Sequence, residues 1–467
     1  MAVRSQRLVN NLKYYSLGVL SSKALMLIFI PIYSYFIRTD VLGDYQYLMA
    51  IVSLVIPVLY QSIWEGMFRF SIVSDGDEYK VINTTTRYAI GLSVIYTVLF
   101  ALAAFVWKIK YPGYILLSGL SQVAFSYWQF AARALKENKA YAIASIVCTL
   151  VTIVLTIVLI VVFKLQIEAL FLSFALGSFA GAAYLECKLK LIRNCVHGGF
   201  EKKLLITILK YSLPLAINSV SWWMVSSCNN IVVTKFLGAS ANGIMAMAQR
   251  FGSIYAIFTS IISMAWQEET FRTLKDADKD SYFNKVLALY IKALFSSVLV
   301  LIPITYLLYG YVVFGDYRTG VGLTSILYIV AVFNALNTHL GSAFLAQGDS
   351  ATVFWTTLLA GVLTIVISIL LVKPLGIAGV LYASLFSTIV NMVIRIVLLT
   401  KKMTLKIDYR QLVLLFLLTI AVSVAAKLIG SGHLWQALMA IVLLVLAVLY
   451  NKNLITALVA RVTHKGE

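Results

Sequence analysis

The sequence predicts an all-α polytopic membrane protein, from three observations. Hydrophobic residues make up 61% of the 467 and charged residues only 12%, where soluble domains run at about 25% charged. Mean hydropathy is +0.91. The apolar runs last about 20 residues, long enough to cross a bilayer as helices, whereas barrel strands would alternate over about 10. The 27 Tyr and 8 Trp fit the same class, because both residues favour the membrane interface.

Fourteen spans are expected: 16–37, 41–64, 88–107, 111–132, 141–163, 168–187, 211–234, 239–265, 286–309, 319–346, 351–372, 376–400, 411–430 and 433–450. The net charge of +19 would suit nucleic acid, but the cations sort by side of the membrane. With the N-terminus inside, 27 of the 38 Lys and Arg fall on inner segments. Eight lie at outer edges (Arg38, Lys108, Lys110, Lys164, Lys235, Arg318, Lys373 and Lys427), and Lys23, Arg250 and Lys292 lie within spans. That bias follows the positive-inside rule, so the charge is topogenic and nucleic acid is set aside as a partner. The four cysteines (Cys148, Cys187, Cys195, Cys228) have no metal-like spacing and predict no disulfide framework.

The first span follows Arg4, Arg7 and Lys13 and ends in bulky residues, which reads as an uncleaved span. Lys23 can either snorkel to the inner surface or line a cavity. Pro57 can kink the second span, because neighbouring helices can satisfy the freed carbonyl. Glu65 and Arg69, four apart, are placed to pair on one helix face. Trp107-Lys108 anchors the third span at the interface, and Gln122, Tyr127, Trp128 and Gln129 make the fourth polar. Residues 188–210 are basic with Gly198-Gly199 in the middle, which marks a linker.

After that linker the chain begins again. Tyr15-Ser16-Leu17 matches Tyr211-Ser212-Leu213, ALKENKAYA (134–142) resembles LAQGDSATV (345–353), and KLQIEALFLSFALGS (164–178) resembles KPLGIAGVLYASLFS (373–387). The common order predicts a six-plus-six parallel repeat with two spans appended: an N-terminal lobe over 1–195, a C-terminal lobe over 196–400, and extra helices and a cytoplasmic tail over 401–467. The mixed-charge segment 266–285 reads as a solvated surface helix.

No nucleotide-binding G-x-x-x-x-G-K-[ST], H-E-x-x-H or G-x-S-x-G occurs. The outer loops are too short to carry a catalytic domain, so neither an enzyme nor a cofactor is expected. His339 reads as a packing residue. Lys292 and Arg395, near inner span ends, read as snorkelling cations. The remaining polar and cationic groups at bilayer depth are Lys23, Arg69 and Arg250 with Asn218, Asn229, Asn230, Gln249, Asn334 and Asn337. Such groups are expensive in lipid and mark substrate paths. Arg250 is the strongest candidate, near mid-depth and too deep to snorkel. An unpaired cation there suits an anionic cargo, and the hydroxyls, amides and Trp222-Trp223 of span seven suit a sugar.

The chain resembles the oligosaccharide flippases of bacterial envelope synthesis, within the multidrug/oligosaccharidyl-lipid/polysaccharide exporter superfamily. The resemblance rests on the GDYQYL turn after span one, FRF ending span two, YSLPL opening span seven, the FLG-x4-G turn, AMAQRFGSI and LGIAGVLYASL. It implies two six-helix lobes in a V-shaped bundle around a cationic cavity, with alternating access. The implied cargo is an undecaprenyl-pyrophosphate-linked glycan of O-antigen type. Lys23, Arg69 and Arg250 match the family's cationic cavity residues; where many relatives carry Asp-Arg at the end of span seven, this chain has Asn229-Asn230. The resemblance also implies the bacterial cytoplasmic membrane with both termini cytoplasmic. Its implied partners are membrane lipids, a polysaccharide polymerase and a chain-length regulator. The competing expectation is a small-molecule or multidrug antiporter of the same superfamily, which would need buried carboxylates; a glycan polymerase or ligase is weaker still.

Overall fold

The structure is a computed structural model describing residues 28–73, 78–197, 199–273, 276, 278–430, 432–452 and 456. It is all-α, with no strand among the described residues. In chain order the helices are α1 (Phe29–Phe36), α2 (Thr39–Leu59), α3 (Ile63–Val73), α4 (Glu78–Trp107), α5 (Pro112–Ala134), α6 (Asn138–Ile157), α7 (Ile167–Leu189) and α8 (Leu191–His197). There follow α9 (Lys202–Ser226), α10 (Cys228–Leu237), α11 (Ala239–Thr273), α12 (Lys279–Val312), α13 (Val321–Ala346), α14 (Ser350–Thr400), α15 (Tyr409–Ile429) and α16 (His433–Tyr450). Ten helical segments among the described residues are long and apolar enough to cross a bilayer. Their outward faces are greasy in the way lipid demands: Val94, Val98, Leu102 and Phe105 of α4 are all exposed.

Several spans are broken, each for a local reason. Pro57 lies inside α2, and the helix stops two residues later at Leu59; Gln61 (φ 52°) and Ser62 (φ 46°) then take left-handed conformations before α3 begins. Two consecutive non-glycine residues there hold strain of order 1–3 kcal/mol each. Pro214 and Pro303 sit inside α9 and α12, which continue past them. α14 is also broken, between the two spans expected at 351–372 and 376–400, where Gly376, two residues after Pro374, adopts φ 61°, ψ −143°. Only glycine visits that region cheaply, and the break divides spans eleven and twelve.

The chain forms two compact units, one of residues Phe36–Thr234 and one of the residues before Phe36 with Lys235–Glu467. In the first, Tyr60, Ile63, Met67, Ile82, Tyr127 and Phe171 are fully buried. The Tyr127 hydroxyl is within 2.8 Å of both Thr85 Oγ1 and Thr86 Oγ1. Helices α6 and α7 approach closely because α7 carries Gly177 and Gly181, four apart, against α6; small residues at this spacing let membrane helices meet backbone to backbone. In the second unit, Phe295, Val298 and Ile302 of α12 and Val332 and Phe344 of α13 are buried centrally.

Two of the turns that the sequence pairs share one local geometry. After α5, Glu137 N–H donates to the Ala132 carbonyl (2.8 Å) and Lys136 N–H to Arg133 (3.1 Å), with Lys136 at φ 61°. After α13, Asp349 N–H donates to Phe344 (2.9 Å) and Gly348 N–H to Leu345 (3.0 Å), with Gly348 at φ 76°. Both are the same six-to-one, five-to-two helix stop. They lie in the two segments that the sequence pairs as repeats.

Segment 266–285 is not a solvated helix. α11 runs on to Thr273, and Trp266, Glu269, Thr270 and Thr273 are all buried. A helix of 35 residues rises about 52 Å, well beyond the hydrocarbon core of about 30 Å, and its last turns pack on α13. At the neighbouring turn, Asp349 caps α14. Its carboxylate accepts from Thr352 N–H (3.1 Å) and the Thr352 hydroxyl (2.7 Å) and pairs with Lys402. Lys402 first, then Thr352, holds the Asp349 carboxyl down at about 2. A depressed acid stabilises the fold above its ordinary value of 3.8 and loses that contribution as pH falls toward about 2. Asp349→Ala is therefore expected to lose about 1 kcal/mol at neutral pH. The gap from the parent should close between about pH 4 and pH 2 in thermal unfolding; a gap independent of pH would rule out this role.

Candidate functional site

In the unit that begins again at Lys235, Arg250 lies 11 residues into α11, about 17 Å along the helix and near mid-depth of a bilayer. Met245, Ala246, Met247 and Ala248 are buried just before it, which holds the helix firmly in the bundle. The Arg250 guanidinium lies over the Tyr33 ring, 4.5 Å from its centroid. Its Nε is buried with no hydrogen-bond partner, and among the described residues no carboxylate pairs with it. A cation–π contact of this kind contributes roughly 1–2 kcal/mol, well short of a full counter-charge. Tyr33 is placed by α1, whose Ser34 hydroxyl donates to the Val312 carbonyl at the end of α12 (3.2 Å). Gln249 is half-buried beside Arg250.

In the other unit, Arg69 of α3 does not pair with Glu65. Its guanidinium lies 4.2 Å from the Tyr211 ring centroid, and Phe70 meets the same ring edge-on. The reason is the docking of α3 on α9. A side chain at Gly66 would collide with Ser212 and come within 2.7 Å of Ile208, so the bare glycine lets the helices close and brings Arg69, one turn on, over Tyr211. Arg133 of α5 does the same over Phe68, at 4.6 Å.

The polar stripe of α9 and α10 is largely turned inward on its own backbone. Ser219, Ser221 and Ser226 donate to the carbonyls of Leu215, Ile217 and Trp222, each four residues back. The helix breaks at Ser227, and the Asn230 amide caps that break by donating to the Ser227 carbonyl (3.4 Å). Asn229 and Asn230 are buried and Asn218 half-buried. Trp223 is fixed by its indole N–H to the Ala50 carbonyl of α2 (2.8 Å), leaving Trp222, 48% exposed, as the free aromatic face.

Asn337 is buried and already engaged, donating to the Phe333 carbonyl (3.0 Å) and, across helices, to Thr388 (2.8 Å). Asn334 is half-buried. Lys23 lies outside the described residues. His339 packs as expected, stacked on Trp266 at 4.4 Å and on Tyr290 at 5.2 Å. Lys292 is half-buried, its ammonium 5.4 Å from the Tyr450 ring centroid.

Arg395 corrects the snorkelling expectation. It is only 2% exposed. Its Nε donates to Thr356 Oγ1 (3.0 Å), Nη1 to the Asn337 carbonyl (2.6 Å), and Nη2 to Thr357 Oγ1 (2.9 Å) and the Val353 carbonyl (3.2 Å). The guanidinium thus ties the two halves of α14 to α13. Gly341 makes room, since a Cβ there would lie 3.0 Å from Nη1.

No family model matches the chain. An uncharacterized membrane protein of Methanocaldococcus jannaschii is 26% identical over 188 residues, 39% of this chain and 43% of that protein. The match therefore spans less than half the relative's length. Among solved structures, the chain is similar to the lipid II flippase MurJ in an inward closed conformation, with a TM-score of 0.69 and 16% identity over 95% of this chain and 99% of that one. It is similar to an inward-facing multidrug resistance MATE family transporter of the MOP superfamily, with a TM-score of 0.65 and 13% identity over 83% and 98%. A MOP superfamily transporter from Pyrococcus furiosus, described by a reversed polarity of its binding pocket, gives a TM-score of 0.58 and 12% identity over 85% and 96%. At such identities the likeness is one of architecture: this chain has the all-α, multi-pass fold shared by the MurJ and MATE transporters.

Proposed function

We propose that this protein is a flippase that moves an undecaprenyl-pyrophosphate-linked oligosaccharide, of O-antigen or similar repeat-unit type, across the bacterial cytoplasmic membrane by alternating access. The observation that carries this reading is Arg250, a mid-depth cation with an aromatic face beneath it and no carboxylate beside it among the described residues. Holding such a charge in a span costs roughly 2.5–3.5 kcal/mol. A phosphate oxygen at about 4 Å would return about 4 kcal/mol at an effective dielectric near 20, so a visiting diphosphate can offset the penalty. Arg69, in the other unit, is a second guanidinium on a tyrosine, and Asn218, Asn229, Asn230, Gln249, Asn334 and Lys23 are further cargo-binding candidates by residue type. The exposed ring of Trp222 offers a sugar its flat apolar partner. The backbone breaks at Gln61-Ser62 and at Gly376 supply hinges for the change of access. Similarity of fold to a lipid II flippase supports a lipid-linked cargo.

Arg250→Ala is expected to abolish glycan export while membrane levels stay at those of the parent, and Arg250→Lys to keep part of it. Normal export by the alanine variant would refute the reading. A second reading, a small-molecule antiporter, is favoured by one finding. Glu269, only 4% exposed, is a carboxylate buried near the end of α11. Under that reading Glu269→Gln would end cation-driven drug efflux and Arg250→Ala would spare it.

A further inference from the structure

A groove of about 380 Å³ lies on the unit Phe36–Thr234 between α2 and α4. It exists because α2 packs on α5, α7 and α9, while α4 packs on α3, α5, α8 and α9, leaving the two helices apart. Its walls include Ile51, Val55 and Leu59 of α2 and Tyr96, Phe100 and Trp107 of α4, and every lining side chain is apolar or aromatic. The Tyr96 hydroxyl is turned away against Gly119. At bilayer depth an apolar groove takes hydrocarbon, since nothing in its walls can hold water.

A charged turn follows the Trp107 end of α4, beside the groove. The lining residues Trp107 and Ile109 alternate with Lys108 and Lys110, both exposed. Lys110 faces the Asp44 carboxylate of α2, so Lys108 is the less compensated cation. Arg38 is already paired to Asp40 at 2.8 Å. From Tyr96 to Trp107 the helix rises about 17 Å, close to the hydrocarbon depth of one leaflet. That length selects the occupant. An ordinary acyl chain fits within it, whereas a long polyprenyl tail would overrun it.

We propose that this groove with Lys108 and Lys110 is a binding site for a phosphate-headed anionic glycerolipid. One acyl chain would lie along α4 and the phosphate at the two lysines. In the orientation that the charge distribution predicts, the lipid belongs to the outer leaflet. The site is independent of the transport reading, and none of its residues is assigned to cargo.

Native mass spectrometry of the purified full-length protein tests it, with phosphatidylglycerol and phosphatidylcholine of identical chains as probes and a polyprenyl phosphate as a third. The parent protein is expected to retain phosphatidylglycerol over phosphatidylcholine. The surface pair Lys108→Gln/Lys110→Gln, which leaves the fold untouched, should lower that preference about fivefold per lysine while still binding both lipids. Ala103→Trp, which fills the groove, should reduce retention of both. Equal retention by the parent, or an unchanged preference in the double variant, would overturn the proposal. Stronger retention of polyprenyl phosphate would overturn it too, by giving the groove to a carrier tail.

Discussion

Gly177→Leu is expected to leave almost no correctly folded protein in the membrane. A Cβ at Gly177 would lie 2.9 Å from the Cys148 carbonyl oxygen of α6 and collide with Thr152 Oγ1. Gly181, one turn on, is closed by the Ala144 carbonyl at 3.1 Å and by Phe125 of α5. The obstacle at Gly177 includes backbone, so rotamer changes cannot relieve it and α6 must move away from α7. Overpacking of this kind costs about 3 kcal/mol or more. Membrane helices have little hydrophobic drive to recover the contact, because lipid tails are as apolar as leucine. Gly91→Leu is the control. That glycine lies on the exposed side of α4 with nothing within 4 Å of a Cβ. It should behave as the parent or slightly better. Size-exclusion profiles of detergent extracts and thermal unfolding read both; a Gly177→Leu protein as abundant and monodisperse as the parent would sink the close-packing account of α6 and α7.

Arg395→Ala is expected to lower stability by about 3 kcal/mol. Four donated hydrogen bonds disappear, and hydrogen bonds to a charged group carry more than neutral ones. The truncation also leaves a cavity among α13 and the two halves of α14. Part of the loss is recovered. The Thr356 and Thr357 hydroxyls already donate to Thr352 and Val353 carbonyls of their own helix and remain satisfied. Arg395→Met separates the contributions. It keeps most of the volume, removes the charge, and should lose much less, since an apolar replacement of a buried charge is often close to neutral. Arg395→Glu should be worst, placing a carboxylate against the Asn337 and Val353 carbonyls. Were Arg395 a snorkelling surface cation, all three variants would unfold like the parent in a thermal or denaturant series.

The spans were legible because bilayer thickness imposes a length that composition alone reveals. The stretch 433–450 is α16 to the residue, and 376–400 begins at the Gly376 break. The likeness of 134–142 to 345–353 marked two turns of one kind, because such a helix stop needs a left-handed residue, which Gly348 shows and Lys136 conceals. The candidate site was legible only in part. Arg250 stood out because a charge at mid-depth is rare. Arg69, Asn337 and Arg395 share that polar character yet do different things: one stacks on Tyr211, one bridges α13 to α14, and one is caged.

The sequence by itself determined the class of the molecule and the rarity of Arg250, because each follows from transferring single residues between water and hydrocarbon. Only the tertiary structure decided which polar groups were already satisfied. It turned Glu65 and Arg69 from a pair into strangers, sealed Arg395 among hydroxyls and carbonyls, and buried Glu269 in a segment that reads as surface. Partner choice depends on which helix faces which, and glycines such as Gly66, Gly177 and Gly341 set that by absence of a side chain, a property no count of charge or hydropathy registers.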